Sequence, residues 1–170
     1  MEIKYLTKMY MVSCSISLKN QSEDIWKAIS SHGNLNLFHP FCHTNKVIEG
    51  DKYSIKKDIL IYLNGVVFER EFYQWDEMNG YELMIGKKNG KKSKVVWKIS
   101  KTKNYTSLII NVFPYKTDKI NTLLYPFVFY FYIKPKLKSY LKSVLKGLKF
   151  YLYNNQKVVK NQFGRHSWFS

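Results

Sequence analysis

The feature that most restricts the fold of this chain is a change of hydrophobic period near residue 115. Between residues 44 and 113 apolar and polar side chains alternate, which is typical of half-buried β-strands. Between residues 134 and 155 apolar side chains recur every three or four positions, and lysines occupy the opposite face, as in an amphipathic helix. About six strands followed by one long helix predict an α+β fold.

Short turns separate the predicted strands. Asn64-Gly65 and Asn89-Gly90 are dipeptides typical of two-residue type I′ hairpins. Because such turns join antiparallel neighbours, we expect an antiparallel meander. In the strand before the first turn, Tyr53, Ile55, Ile59 and Ile61 are expected to share one face. The lysine-rich tip around the second turn is expected to be a solvated loop rather than a binding site.

One strand and two short helices are predicted before the meander. Residues 10–20 alternate as a strand, with Val12, Cys14, Ile16 and Leu18 on one face. Residues 20–31 begin with polar and acidic side chains and continue with an apolar stripe, which indicates a short helix. Residues 34–43 indicate a second short helix or turn, which ends at Pro40.

The charge of the chain is strongly positive, with 28 Lys and Arg against 12 Asp and Glu. Only Arg70 and Arg165 are arginine, so the bidentate guanidinium that proteins use to read phosphates and bases is nearly missing from the sequence. We therefore regard nucleic acid as an unlikely partner. Residues 119–170 contain ten basic residues and no carboxylate, which leaves an anionic membrane surface as a possible weak contact.

Residues 123–133, here named the closing segment, hold six aromatic rings and no charge. Eleven helical residues span about 16 Å, whereas the hydrocarbon core of a bilayer is about 30 Å thick, so this segment cannot cross a membrane. If the segment forms a helix, its aromatic side chains project from all sides, so each side needs an apolar contact. We interpret the segment as a lid and wall of a cavity, with a possible membrane contact.

Other features of the chain set its context. Two cysteines without framework spacing predict a reducing compartment, and hence a cytoplasmic protein. The first 16 residues lack the apolar run and cleavage site of a signal peptide. The length predicts one domain over residues 1–170, with a core over about 10–155 and a C-terminal tail over 156–170 that packs back through Phe163, Trp168 and Phe169.

The order of elements resembles the helix-grip, or START-like, superfamily, which includes lipid-transfer proteins, polyketide cyclases and pollen-allergen-like binders. The most similar stretch is SISLKNQSEDIWKAISSHGNLNLFHPFCHTNKVIEG, with Trp26 in the first short helix and Phe38 and Pro40 in the element after it. The resemblance covers nearly all of residues 10–155. It implies a curved antiparallel sheet of six to seven strands wrapped around a long C-terminal helix, with two short helices after the first strand.

The resemblance also implies a cavity between sheet and helix that binds or transports a hydrophobic small molecule: a lipid, a quinone or a polyketide-like compound. No cofactor is expected, and the oligomeric state stays open. An enzyme related to polyketide cyclases and aromatases is the alternative, and a basic surface for anionic membranes or nucleic acid is a second one. The predicted ligand-binding residues are Phe38, His39, Phe41, Phe68, Arg70, Phe72, Trp97, Tyr125, Phe129, Tyr140 and Val144.

Three polar residues are candidates for catalysis if the protein is an enzyme: Arg70, His39 and Tyr73. Arg70 lies between two phenylalanines on one face of its strand and could hold a carboxylate or an enolate. The alternative, which we favour, is that the strand is an edge and that Arg70 pairs with a neighbouring carboxylate such as Glu82. Trp97 faces either the helix or the opposite side of the sheet, and the sequence does not decide between them.

The segment HPFCH brings two histidines and one cysteine within five positions, and His166 could join them. Their spacing matches no usual zinc signature, so we predict no metal site. Phe38, Pro40 and Phe41 are expected to form the cavity rim, with His39 available as a hydrogen-bond donor.

Overall fold

The structure, a computed structural model, describes residues 10–170. The prediction about a signal peptide falls partly on residues 1–9, which lie outside the described residues. The elements, in chain order, are β1 (Val12–Leu18), α1 (Ser22–Ser30), α2 (Leu35–Phe38), β2 (Cys42–Gly50), β3 (Ile55–Tyr62), β4 (Val67–Asp76), β5 (Gly80–Gly86), β6 (Lys92–Lys101), β7 (Thr106–Phe113), α3 (Tyr125–Val128), a π-helical turn (Phe129–Ile133) and α4 (Lys134–Asn154).

All seven strands form one antiparallel sheet in the order β1-β7-β6-β5-β4-β3-β2. The predicted α+β class, the number of strands and the two short helices after β1 are confirmed. α1 packs on β6, α2 packs on β2, and both helices touch α4, so the helices cover one face of the sheet. That shared layer is the core of the protein.

α1 shows why residue order decides which surface is buried. Glu23 and Asp24 lie in its first turn, where the positive end of the helix dipole favours them. Ile25, Trp26 and Ile29 are buried on the opposite side. The Trp26 ring meets the Trp75 ring edge to face at 5.3 Å, which fixes α1 over the strands.

The β3–β4 hairpin differs from the prediction in both turn type and face. Its loop has three residues: the N–H of Gly65 donates to Tyr62 O at 3.0 Å, and the N–H of Tyr62 donates to Val66 O at 2.9 Å. Gly65 has φ +81°, whereas Asn64 is not left-handed, so the loop is a type I turn followed by a glycine bulge. The extra loop residue shifts the strand pairing by one position.

The shift places Asp58 opposite Arg70 and Leu60 opposite Phe68, whereas a two-residue loop would place Ile59 opposite Arg70. The inward face of β3 therefore carries Asp58, Leu60 and Tyr62, each at most 1% exposed. The predicted face was wrong at Ile59 and Ile61, which are only half-buried, and at Tyr53, which is exposed in the turn before β3. Apolar residues on both faces of β3 made the choice of face ambiguous.

The Asn89-Gly90 hairpin is also longer than a type I′ turn. Gly86 pairs with Lys92, which leaves five residues in the loop, and Asn89 rather than Gly90 has the positive φ, of 58°. The N–H of Gly90 donates to Lys87 O at 3.0 Å. Lys91 of this loop reaches the segment after β7, where its Nζ donates to Lys116 O at 3.4 Å.

The closing segment divides into a buried and an exposed side. Tyr125 and Phe129 are almost fully buried and pack with Tyr10 at ring distances of 4.9 and 5.0 Å. The other side is exposed and carries Leu123, Leu124, Phe127, Tyr130, Phe131 and Tyr132, here named the aromatic face. Within residues 10–170, no helix is both long enough and apolar enough to cross a membrane.

α4 approaches α2 most closely at Gly147. A Cβ atom at this position would overlap the carbonyl oxygen of Phe38 and would lie 3.3 Å from Cδ of Pro40. Glycine within a helix costs about 1 kcal/mol relative to alanine, so its presence here has a packing reason. The missing side chain lets the backbones of α4 and the α2–β2 connection meet.

We expect Gly147→Ala to lower the free energy of unfolding by about 2 kcal/mol or more, because overlap with a main-chain carbonyl outweighs the gain in helix propensity. Chemical denaturation followed by circular dichroism measures this change. Lys146→Ala, on the exposed side of the same helix, is the control and should leave stability within about 0.5 kcal/mol of wild type. A stabilising Gly147→Ala would contradict the close approach.

Candidate ligand site between the sheet and the long helix

A cavity of about 230 Å³ lies between the sheet and the first half of α4, here named the inner cavity. Its wall is mostly apolar, which is typical of small-molecule sites. The strands contribute Leu60, Tyr62, Phe68, Arg70, Leu83, Ile85, Gly86, Ser93, Val95, Trp97, Ile110 and Val112. The remaining lining residues are Leu35, His39, Lys87, Gly90, Lys91, Tyr115, Leu137, Tyr140, Leu141, Val144 and Phe169.

A second space of about 420 Å³, here named the outer groove, adjoins the inner cavity. Both spaces share Phe68, Leu137 and Phe169 as wall residues. Tyr125 and Ile133 of the closing segment line only the outer groove. The closing segment is therefore the wall of the approach to the inner cavity.

The inner cavity ends at a buried ion pair between Asp58 and Arg70. Nε of Arg70 donates to Oδ1 of Asp58 at 2.7 Å, and Nη2 donates to Oδ2. Asp58 is 0% exposed and Arg70 is 3% exposed. The geometry is bidentate, the strongest form of an arginine–carboxylate contact. The guanidinium carbon lies 5.2 Å from the centre of the Phe72 ring, which closes its other side.

Arg70 therefore has a carboxylate partner, as we favoured, but the partner is Asp58 instead of Glu82. The predicted edge position is wrong, because β4 pairs with both β3 and β5. Burial alone would lower the pKa of Arg70, but the adjacent Asp58 carboxylate outweighs it and raises that pKa. Arg70 stays charged, and Asp58 compensates its charge within the same strand pair.

Three hydrogen-bonding side chains lie beside the ion pair. Nε2 of His39 lies 2.8 Å from the Tyr140 hydroxyl, which lies 3.1 Å from the Tyr62 hydroxyl. Burial, followed by the nearby Arg70 charge, lowers the pKa of His39 to about 3. Burial also raises the pKa values of Tyr62 and Tyr140. All three side chains are uncharged at neutral pH.

Two lysines of the β5–β6 hairpin, Lys87 and Lys91, line the other end of the inner cavity. Residues 87–91 are exposed, as predicted for this hairpin tip, but the same tip also lies at the mouth of the candidate site. Nζ of Lys91 also pairs with Asp118 at 2.5 Å. The site therefore has a neutral polar inner end, an apolar middle and a basic mouth.

Six of the predicted ligand-binding residues line the inner cavity: His39, Phe68, Arg70, Trp97, Tyr140 and Val144. Tyr125 lines the outer groove. The structure thus brings together residues from α2, the sheet and α4 around one space. Trp97 faces the helix side of the sheet, which answers the question that the sequence left open.

Four other predicted residues line neither space: Phe38, Phe41 and Phe129 lie in the core, and the partly buried Phe72 packs against it. Phe38 and Phe41 are at most 1% exposed, so they support the wall from behind instead of forming a rim. Tyr73 lies outside the site at 53% exposure, and its hydroxyl donates to Glu82 at 2.7 Å. The register shift between Phe72 and Gln74 is a bulge at Tyr73, which turns Trp75 inward.

The histidines and cysteines do not gather into a metal centre. Within residues 10–170, no three His, Cys, Asp or Glu side chains are placed to hold a metal ion. Nε2 of His166 lies 3.1 Å from Lys136 O and its Nδ1 accepts the N–H of Trp168 at 3.3 Å, so this ring has a structural role. Burial raises the pKa of the Cys42 thiol to about 12.

Comparison with known proteins identifies the architecture. No protein-family model and no curated protein sequence matches the chain. A START superfamily protein from Mycobacterium smegmatis has 14% identity and a TM-score of 0.68, over 86% of this chain and 99% of that one. A Staphylococcus aureus protein of unknown function, SA2116, has 16% identity and a TM-score of 0.65, over 85% and 95%. The chain has the START-like helix-grip fold.

DynU16, a protein in the dynemicin biosynthetic locus, has the same helix-grip arrangement at 13% identity and a TM-score of 0.63. The match covers 89% of this chain and 51% of DynU16, so the chain spans about half of that protein. At these identities the likeness extends to the fold alone. The chemistry of the site rests on the residues of this chain.

Sequence reasoning missed several residues of the helix-grip site. Tyr62 was missed because the wrong face of β3 was predicted to be buried. Lys87 and Lys91 were missed because residues at hairpin tips usually lie in solvent and away from binding sites. The predicted packing of the tail is confirmed: the Phe169 ring stacks on the Tyr62 ring at 4.2 Å. Its place in the wall had no sequence signal, because the tail has no clear period.

We expect stability to fall more steeply in acid for wild type than for His39→Gln. Between about pH 6.5 and about pH 3 the unfolded chain protonates His39 and the folded protein does not, so acid favours unfolding. The difference in slope should approach about 1.4 kcal/mol per pH unit. Urea denaturation of both proteins at a series of pH values measures it. Parallel pH profiles would show that folded His39 takes up a proton readily.

Proposed function

We propose that the protein binds and carries a hydrophobic small molecule, of the lipid, quinone or polyketide-like classes, in the inner cavity. The observation that supports this most is an apolar space of about 230 Å³ that ends at buried polar side chains and adjoins an outer groove. A folded protein normally packs such a core to near crystalline density. An unfilled apolar space with a few converging polar groups is instead the usual form of a ligand site.

The C-terminal tail is part of this proposed site, because Phe169 lines both spaces. We propose that the whole chain acts as one ligand-binding domain. Cys14 and Cys42 are free thiols in the core, which supports a reducing compartment such as the cytoplasm.

The cyclase-like alternative is weaker in this geometry. Of its three candidate residues, His39 and Arg70 reach the inner cavity, whereas Tyr73 lies on the outer face. Arg70 is already neutralised by Asp58, which reduces its ability to stabilise an enolate or a carboxylate. The buried, neutral His39 is a weak base, because its pKa lies near 3.

Purified protein should show an added mass by native mass spectrometry, and organic extraction should release the molecule responsible. Leu137→Trp should remove that mass, because Leu137 lines the junction of the inner cavity and the outer groove. Leu152→Trp is the matched control on the same helix, since Leu152 packs on the core and lines neither space. Equal ligand content in both variants, with both folded by circular dichroism, would contradict this location.

Reversible docking on an anionic membrane is a second candidate function, and the aromatic face favours it. Leu123 and Phe131 are 81% and 80% exposed, and Phe127 is 63% exposed. Apolar side chains are seldom this exposed in a contiguous group unless they meet a partner or a membrane. The face adjoins the outer groove through Tyr125 and Ile133, so a docked protein would present the groove to lipid.

Several lysines lie close to the closing segment. Nζ of Lys134 lies 5.1 Å from the Tyr130 ring and Nζ of Lys116 lies 5.3 Å from the Tyr125 ring. Lys136 and Lys138 follow in the first turn of α4. Each lysine near an anionic surface contributes about 1 kcal/mol, and rings at headgroup depth add apolar contact.

We expect co-sedimentation with vesicles of phosphatidylcholine and phosphatidylserine, and much less with phosphatidylcholine alone. High salt should reduce the binding, and Phe127→Ser combined with Phe131→Ser should abolish it. Tyr53→Ser is the control, because Tyr53 is 82% exposed beside Lys52 but lies in the β2–β3 turn. Equal binding to both vesicle types would contradict the role of the lysines. A change of oligomeric state in the double variant would assign the face to self-association.

A further inference from the structure

The inner end of the cavity contains a hydrogen-bond chain whose direction can be worked out. The backbone N–H of Phe41 points to Nδ1 of His39 at 3.2 Å. Because a backbone N–H can only donate, Nδ1 must accept, and the proton of the neutral imidazole lies on Nε2. His39 therefore donates to the Tyr140 hydroxyl, 2.8 Å away.

Counting protons shows that the hydrogen-bond chain of His39, Tyr140 and Tyr62 has one more donor than it uses. Nε2–H, the Tyr140 hydroxyl and the Tyr62 hydroxyl offer three protons. The two contacts, His39 to Tyr140 and Tyr140 to Tyr62, use two of them. Whichever tyrosine donates to the other, one hydroxyl proton has no acceptor among residues 10–170. Both hydroxyl-bearing side chains line the inner cavity, so this proton is available to a ligand.

Arg70 adds further donors at the same end. Its Nε and Nη2 are occupied by Asp58, whereas Nη1 makes no hydrogen bond to that carboxylate. Asp58 itself is fully buried and does not line the cavity. The surplus hydrogen-bonding groups that the inner end presents are therefore N–H and O–H donors.

The inner end is also electrically balanced. The Arg70 charge is compensated by Asp58, and His39, Tyr62 and Tyr140 are neutral. A carboxylate placed here would be an extra buried charge, which costs far more than a neutral polar group. A ligand hydroxyl could accept one of the unused protons, but it would also bring a proton of its own to a site that already has protons without acceptors. A carbonyl oxygen has two lone pairs and no proton, and it matches the site.

We propose that the inner end recognises a neutral carbonyl oxygen, so that the ligand is an apolar ketone, ester or quinone bound with that oxygen towards Tyr62, Tyr140 and Arg70. This inference rests on the proposed function of the cavity as a ligand site. An apolar acid binds in the opposite sense, with its carboxylate at Lys87 and Lys91 in the mouth.

Three bicyclic probes that differ only at one end test the proposal: acetylnaphthalene, ethylnaphthalene and naphthoic acid. Bicyclic compounds are suitable because a cavity of about 150 Å³ already holds benzene. Isothermal titration calorimetry gives their dissociation constants. Acetylnaphthalene should bind wild type about three- to tenfold more tightly than ethylnaphthalene, the effect of one net hydrogen bond.

Tyr62→Phe alone should change the preference for acetylnaphthalene over ethylnaphthalene less than about twofold, because the Tyr140 hydroxyl proton then has no acceptor in the protein and can donate to the ligand instead. Combining it with Tyr140→Phe should remove most of the preference for the ketone. Tyr115→Phe, at the mouth, is the matched control and should leave that preference unchanged. Lys91→Gln should weaken only naphthoic acid. Melting temperatures show whether each variant is folded.

The outcomes separate this proposal from the proposed function. If ethylnaphthalene binds wild type at least as tightly as acetylnaphthalene, the carbonyl assignment is wrong while the cavity remains a ligand site. The same holds if Tyr62→Phe combined with Tyr140→Phe weakens both neutral probes equally. If none of the three probes binds, the ligand-site function itself fails.

Discussion

The contact between α4 and the helix-covered face of the sheet is the interaction on which the rest of the structure depends. Its two halves behave differently. Gly147 brings the second half against the α2–β2 connection, where Leu145 and Leu148 are buried. The first half, from Leu137 to Val144, forms the roof of the inner cavity. One helix therefore closes the core at one end and leaves a space at the other.

The buried ion pair gives that space its chemical character. A lone arginine at this depth would be very costly, and its removal from water is offset only by a partner with good geometry. Asp58 provides this geometry because it lies directly across from Arg70 in the β3–β4 pair. The result is an ion pair with no net charge, in which Nη1 of the guanidinium is not bonded to Asp58. Polarity is retained there without a field that would attract anions.

Much of the architecture could be predicted from the sequence, because it depends on periodicity. Alternation gave the strands, the three- to four-residue repeat gave α4, and the uncharged aromatic run marked the closing segment. Arg70, His39 and Tyr140 were also found, since a polar residue among apolar neighbours is visible in a sequence. These features are local, and local patterns are what a single sequence records.

The detailed site could not be predicted, because it depends on register. One extra loop residue at Gly65 decides that Asp58 faces Arg70, and an ambiguous apolar pattern on β3 conceals Tyr62. The bulge at Tyr73 interrupts the alternation along β4, so that Trp75 packs on Trp26 and Tyr81 where unbroken alternation would turn it outward. The contribution of Phe169 depends on a tail whose path is fixed by contacts such as Val158 N–H to Leu37 O at 2.9 Å. Each of these features depends on how residues pair or pack in the folded protein, which a local sequence pattern does not record.

The π-helical turn at Phe129–Ile133 restricts which insertions and deletions the closing segment can tolerate during evolution. Such a turn accommodates one residue more than an α-helix of the same length, and it is often found at functional sites. Losing that residue would rotate everything before it by about 100° relative to α4. Tyr125 and Phe129 would then leave the core as the outer rings turned inward. Deletion of one residue from this turn would therefore change the buried rings and the exposed rings of the closing segment at the same time.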